Sequence, residues 1–173
     1  VLPFFVIIPL GCAFLISLLG KKISKFADCL ANLGSLSLLV LSLYSVALVN
    51  NYKVIVYKVG GWMPPIGICL SLDGLTSFML VTVNLVSLCV TIYSINYMAR
   101  YTDKYRFYTL FMLMLAGMNG IIVTGDLFNL FVFLEIASIA SYALVAFGTE
   151  AEELEASFKY AIMGTVASSF VLL

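Results

Sequence analysis

Histidine is absent from the 173 residues, and only 10% of them are charged. Without imidazole, a haem hung inside a helical bundle loses its usual axial ligand. The four cysteines, Cys12, Cys29, Cys69 and Cys89, show no CxxC or CxxxC spacing, which disfavours an iron–sulfur or zinc site. Cys12 and Cys89 lie inside apolar runs, where cysteine acts as a small hydrophobe. The expectation is a chain with no cofactor, no metal and no catalytic site of its own. Basic and acidic residues number nine each, so the net charge is zero and nothing points to nucleic acid.

Apolar residues are abundant instead: 63% of the chain is hydrophobic and the mean hydropathy is +1.12. A soluble domain covers its surface with roughly 25% charged residues. This chain has too few, so lipid must be its main solvent, and within lipid each backbone polar group needs an internal partner. An all-α integral membrane fold follows, one transmembrane domain over residues 1–173. The apolar runs predict about six helices of the ~20 residues that span hydrocarbon. They cover Val1 to Gly20, about Leu30 to Val49, Leu75 to Met98, Phe107 to Val123, Leu127 to Phe147, and Glu150 to Leu173. The first run is followed, not preceded, by Lys21, Lys22 and Lys25, so it reads as a retained helix and not a cleavable signal.

The connection Asn50 to Gly74 has another character. Its β-branched stretch Lys53-Val-Ile-Val-Tyr-Lys58 precedes Gly60-Gly61-Trp62-Met63-Pro64-Pro65, a pattern for a short hairpin and turn. Tyr57 and Trp62 suit the headgroup level. Loops after the odd-numbered helices hold Lys21, Lys22, Lys25, Arg100, Lys104 and Arg106, whereas the opposite loops hold only Lys53 and Lys58. Basic loops stay inside, so the N-terminus and the hairpin are expected outside a cell (inner) membrane.

Glu135 stands out within the fifth run. A charge at mid-bilayer costs about 3 kcal/mol or more, and intramembrane carboxylates mark proton or ion paths more often than plain helix contacts. Lys159 is its expected partner. Thr149-Glu-Ala-Glu152 has the form of a capping box that starts the sixth helix at Glu150. Counted from that shared end, Glu135 is about 18 Å deep and Lys159 about 13 Å, at 1.5 Å per residue. A cation there stabilises the carboxylate, and moving it away promotes proton uptake. Lys159 has a second reading as a snorkelling residue held by Glu155, four residues earlier. Glu150, Glu152, Glu153 and Glu155 suit the positive end of the helix dipole. Asn119, Asp126, Ser138 and Ser141 are the supporting polar positions, and Ala137, Ala140, Gly164, Ala167, Ser168 and Ser169 permit close packing.

The segment Gly117-Met-Asn-Gly-Ile-Ile-Val-Thr-Gly-Asp-Leu-Phe-Asn-Leu-Phe-Val-Phe-Leu-Glu135 resembles the antiporter-like subunits of complex I and its relatives. Glu155-Ala-Ser-Phe-Lys-Tyr160, Ala167-Ser-Ser169, Gly60-Gly-Trp-Met-Pro-Pro-Ile-Gly67 and Asp73-Gly-Leu75 carry the same likeness, which covers nearly the whole chain. The Gly-Gly-Trp and Gly-Asp-Leu-Phe-Asn pieces are most similar to the D-type member of multisubunit (Mrp-type) Na+/H+ antiporters and to its counterpart in membrane-bound hydrogenases. They are less similar to the M- and N-type members of complex I. The resemblance implies that Glu135 is the fifth-helix glutamate of an ion channel and that Lys159 occupies the family's sixth-helix lysine position. It implies membrane subunits as partners, H+ with or without Na+ as cargo, and a parent complex that is an antiporter, a hydrogenase or an NADH:quinone oxidoreductase. Full members have about fourteen helices in two inverted repeats. The chain is therefore expected to match their front part, without the later lysines, and to form no ion path alone. A non-transporting scaffold and a redox-complex membrane anchor are the alternatives.

The topology is testable. With the four native cysteines replaced, a single cysteine at position 23 should resist an impermeant thiol reagent added to intact cells; labelling from outside would reverse the orientation.

Overall fold

All six expected helices form in the computed structural model, which describes residues 1–20, 24–62, 67–98 and 103–173. They are α1 (Phe4–Leu19), α2 (Ser24–Tyr52), α3 (Gly74–Tyr97), α4 (Lys104–Val123), α5 (Leu127–Val145) and α6 (Ala151–Leu172). Between α2 and α3, strands β1 (Ile55–Lys58) and β2 (Cys69–Leu72) pair antiparallel, with Ile55 opposite Leu72 and Lys58 opposite Cys69. A single 3-10 turn, Val59–Gly61, follows β1, and Gly60 takes the left-handed φ of 66° that favours glycine. Tyr57 and Trp62 are both exposed on this hairpin.

Among the described residues four helices, α2 to α5, are long and apolar enough to cross a bilayer by length and composition. The apolar α1 has 16 residues, about 24 Å at 1.5 Å per residue. α6 opens with Glu152, Glu153 and Glu155, and these charges separate it from the apolar four. Three boundaries move outward from the apolar runs by three residues or more. α2 runs from Ser24 to Tyr52 and not from near Leu30 to Val49, and α4 starts at Lys104 and not at Phe107. At the two starts the cause is one ion pair. Lys104 Nζ lies 2.8 Å from Asp28 Oδ2 and donates to the Ile95 carbonyl at 2.8 Å, so polar first turns of α2 and α4 are pinned beside the end of α3. The pair is largely buried, with the two side chains 12% and 20% exposed. Lys21, Lys22, Arg100 and the turn residues Met63 to Pro65 lie outside the described residues, as does the Lys25 side chain.

The bundle is built around α4, which packs on α1 and α5 most extensively and also on α2 and α3. Tyr108, Met112, Leu115 and Val123 of α4 are buried in one cluster with Phe5 and Ile16 of α1, Leu38 of α2 and Leu80 of α3. Outward faces are apolar, with Phe14, Leu33, Val40, Phe78 and Tyr93 exposed. Several polar groups point inward and pair there. Ser35 Oγ is 2.9 Å from Thr91 Oγ1, joining α2 to α3, and the Ser94 hydroxyl donates to the Tyr108 hydroxyl at 3.1 Å, joining α3 to α4. Asn84 and Asn119, both fully buried, exchange amide hydrogen bonds of 3.2 Å in each direction. In a bilayer the apolar surface gives helices little reason to associate, so such reciprocal bonds and small-residue contacts do the joining.

The Asn84–Asn119 pair sets a measurable coupling. Each alanine variant strands the other amide, whereas the double variant removes both. Reversible unfolding in mixed micelles should give a coupling of about 0.6–1.7 kcal/mol, the range for interhelical bonds in membranes. Additive single effects would show that the two amides do not support each other.

Candidate ion-translocation site

The site begins with two glycines on α4. A Cβ at Gly117 would stand 2.6 Å from the Ala137 backbone nitrogen, and one at Gly120 would overlap the Phe133 ring. Only glycine lets α4 and α5 approach this closely, so Phe133 and Ala137 must face α4. Asn129 and Ala140, the two buried residues of α5, continue the same stripe at helical spacing. Glu135 sits two residues from both Phe133 and Ala137, which is about 200° around the helix. Its carboxylate is therefore directed away from α4.

What lies on its side is set by Tyr142, seven residues and two turns further along the same face. The Tyr142 ring meets the Tyr160 ring edge-on, with centroids 4.8 Å apart. The Ser157 hydroxyl donates to the Tyr142 carbonyl at 2.8 Å, and the Tyr142 hydroxyl rests on Gly164, where any Cβ would collide with it. Gly164 thus opens the slot that Tyr142 fills. On α6 the stripe turned to α5 is Ser157, Ala161, Gly164 and Ser168, and Ser168 is the buried residue of a largely exposed helix. Glu135 lies half-way along the 19-residue α5, half-buried, beside this small and hydroxyl-rich seam. Its carboxylate has no hydrogen-bond or ion-pair partner among the described residues.

Lys159 is not brought to Glu135. It lies between Ser157 and Ala161 in sequence and so on the opposite face of α6, 70% exposed, with its ammonium 2.5 Å from Glu155. The contacts of Ser157 and Gly164 put Lys159 level with Tyr142, about 10 Å from the depth of Glu135. The expected separation of one turn becomes two because the first turns of α6 run past the end of α5. The cap of α6 also shifts by one residue. Thr149 takes φ 61° and cannot serve as an extended N-cap; Glu150 does so, and Glu153 accepts from its backbone N–H at 3.3 Å to close the box.

The supporting residues divide. Asp126 caps α5 by accepting the Asn129 N–H at 2.6 Å and also takes the Cys69 N–H at 3.3 Å, while Gly125 N–H donates to the Cys69 carbonyl at 2.8 Å. The Asn129 amide donates to Thr124 Oγ1 at 3.0 Å. The Gly-Asp-Leu-Phe-Asn stretch therefore clips the start of α5 to β2. Asn119 is committed to Asn84 and faces α3. Ser138 shares the Glu135 side of α5, and the Ser141 hydroxyl donates to the Ser138 carbonyl at 2.7 Å. Gly164 is among the small residues expected to permit close packing, but that Tyr142 and Ser157 join it in the seam beside Glu135 is not evident from sequence pattern. The seven-residue spacing from Glu135 to Tyr142 is the signal that identifies the first of them.

Two family profiles match the chain: "NADH-Ubiquinone oxidoreductase (complex I), chain 5 N-terminus" over residues 62–108, and "NADH:quinone oxidoreductase/Mrp antiporter, TM" over residues 124–173. The N-type subunit of the NADH-quinone oxidoreductase of Desulforudis audaxviator is 45% identical over 119 residues, 68% of this chain and 24% of that protein. The D-type subunit of the Na(+)/H(+) antiporter of Alkalihalophilus pseudofirmus is 31% identical over 94% of this chain and 34% of its own length. The fold superposes on a chain of an archaeal membrane-bound sulfane sulfur reductase with a TM-score of 0.89 and 32% identity, covering 98% of this chain and 35% of that one. The chain spans about a quarter to a third of the length of these relatives.

Proposed function

The chain belongs to the antiporter-like family of complex I and Mrp-type membrane subunits, matching the N-terminal portion of its members, and on that premise we propose that it moves protons in a multisubunit membrane complex. Glu135 is the group that takes up and releases the proton. The observation that carries this is its position: a carboxylate half-way along a membrane-spanning helix, turned from the glycine-packed α4 side and without a partner among the described residues of its own bundle. A charge at that depth is costly unless another element covers it or a proton neutralises it.

Ser138, Tyr142 and Ser157 supply hydroxyls on the side of Glu135 that leads to the N-terminal end of α6, where hydroxyls can hold water between fixed donors and acceptors. Lys159 acts at a distance of two turns. Paired with Glu155 it is neutralised; released, it lowers the cost of the Glu135 carboxylate through the low-dielectric interior. The relay is thus a carboxyl whose charge is set by whether a lysine at the next level is engaged. Na+ enters as the counter-cargo if the complex is of the Mrp kind. Other membrane subunits cover the open face of α6, and the N-terminus lies outside a cell membrane, following the six-to-two distribution of lysines and arginines between the connecting regions on the two sides.

Within the complete complex, reconstituted in liposomes, Glu135→Gln should reduce proton movement by roughly 100-fold, the lower range for loss of a positioned proton-transfer group. Glu135→Asp should retain part of it, and Lys159→Ala should cause a smaller loss. Wild-type pumping by Glu135→Gln would leave this chain as a packing scaffold.

A further inference from the structure

Away from the Glu135 seam, a cleft of about 620 Å³ opens between the end of α2 and the start of α3. Its rim carries Asn50 and Lys53, and its deeper wall carries Val46, Phe78 and Val81. Ser77 also lines it, 3% exposed, with a hydroxyl that has no hydrogen-bond partner. A buried hydroxyl without a partner costs about 1–3 kcal/mol, so its presence at a cleft wall calls for a ligand group. Lys53 adds a second independent sign. It ends α2 with φ 59°, a left-handed conformation for which glycine is the least strained residue, and so sets a cation on the rim. No carboxylate pairs with that ammonium among the described residues. The neighbouring Asp73 carboxylate is already engaged in capping α3, accepting the Thr76 N–H at 2.8 Å, which holds its carboxyl below the usual range.

From Lys53 to Val46 the cleft descends about 10 Å along α2, the distance over which headgroups give way to hydrocarbon. Polar donors at the rim and apolar walls below match an amphiphile standing upright in the leaflet. We propose that this cleft binds one anionic phospholipid, its phosphate held by Lys53, Asn50 and the Ser77 hydroxyl, with an acyl chain along Val46, Phe78 and Val81. The lysine selects for the anionic headgroup and the hydroxyl serves any phosphodiester. The lipid would fasten the α2–α3 end of the bundle, apart from the relay on α5 and α6.

The test is native mass spectrometry of the full protein, purified with its accompanying membrane subunits and titrated with phosphatidylglycerol or phosphatidylcholine of matched chains. One phosphatidylglycerol should bind about fivefold more tightly than phosphatidylcholine, the effect of one basic residue at a membrane surface. Lys53→Gly, which relieves the backbone and cannot fail for strain, should abolish that preference, and Lys53→Arg should keep it. Ser77→Ala should weaken both lipids. Equal binding of the two lipids by the unaltered protein, binding unchanged in both Lys53→Gly and Ser77→Ala, or displacement by millimolar inorganic phosphate would overturn the proposal.

Discussion

Gly117 and Gly120 lie one turn apart on α4 and remove the side chains that would hold α5 at ordinary distance. Phe133 and Ala137 fill that space, and the rotation of α5 about its own axis is fixed as a result. Every polar position on α5 then has a determined direction. Asn129 turns inward and is used at the helix start, whereas Glu135, Ser138 and Tyr142 turn toward α6 or beyond it. Tyr142 in turn depends on Gly164, and Ser157 on the Tyr142 carbonyl, so the α5–α6 register follows from the α4–α5 contact. A larger residue at Gly120 would rotate or displace α5, with a cost of about 1–3 kcal/mol for overpacking, and would move the carboxylate with it.

The polar interior serves two purposes that the bilayer keeps separate. Between α2, α3 and α4, buried serine, threonine and asparagine other than Ser77 pair with one another or with their own backbone carbonyls, and Asn84 and Asn119 satisfy each other. These groups hold helices together. Glu135 has no such pairing among the described residues, and a carboxylate left that way in lipid calls for protein cover, water or a proton. The face of α6 opposite α5 is exposed, with Phe158, Ile162, Met163 and Val166 on its surface.

Helix number and type were legible because each ~20-residue apolar run has one stable outcome in lipid. Helix ends were less so. Hydropathy stops where charges begin, but Asp28 and Lys104 extend α2 and α4 by pairing with each other across the bundle, a contact no local pattern announces. Glu135 was legible as an outlier of polarity. The direction it faces was not, because that direction depends on α4 glycines fifteen or more residues away. Depth counting put Lys159 one turn from Glu135, yet α6 begins beyond the end of α5 and adds a second turn, counting along helices gives no azimuth, and the pairing with Glu155 follows from the i, i+4 spacing that the sequence also contained. Asp126 reads as a channel polar group and serves as an N-cap; both uses need a carboxylate at a helix start, and only the partner distinguishes them.

If Glu135 carries the proton, its carboxyl must change protonation state as ions cross the membrane. Infrared difference spectroscopy of the complete complex in liposomes reads this directly, with Glu135→Gln assigning the carboxyl band. A carboxyl signal that appears and disappears with an imposed proton gradient in the unaltered protein, and is missing in the variant, is the predicted result. A difference spectrum identical in the two proteins, with transport still running, would contradict it.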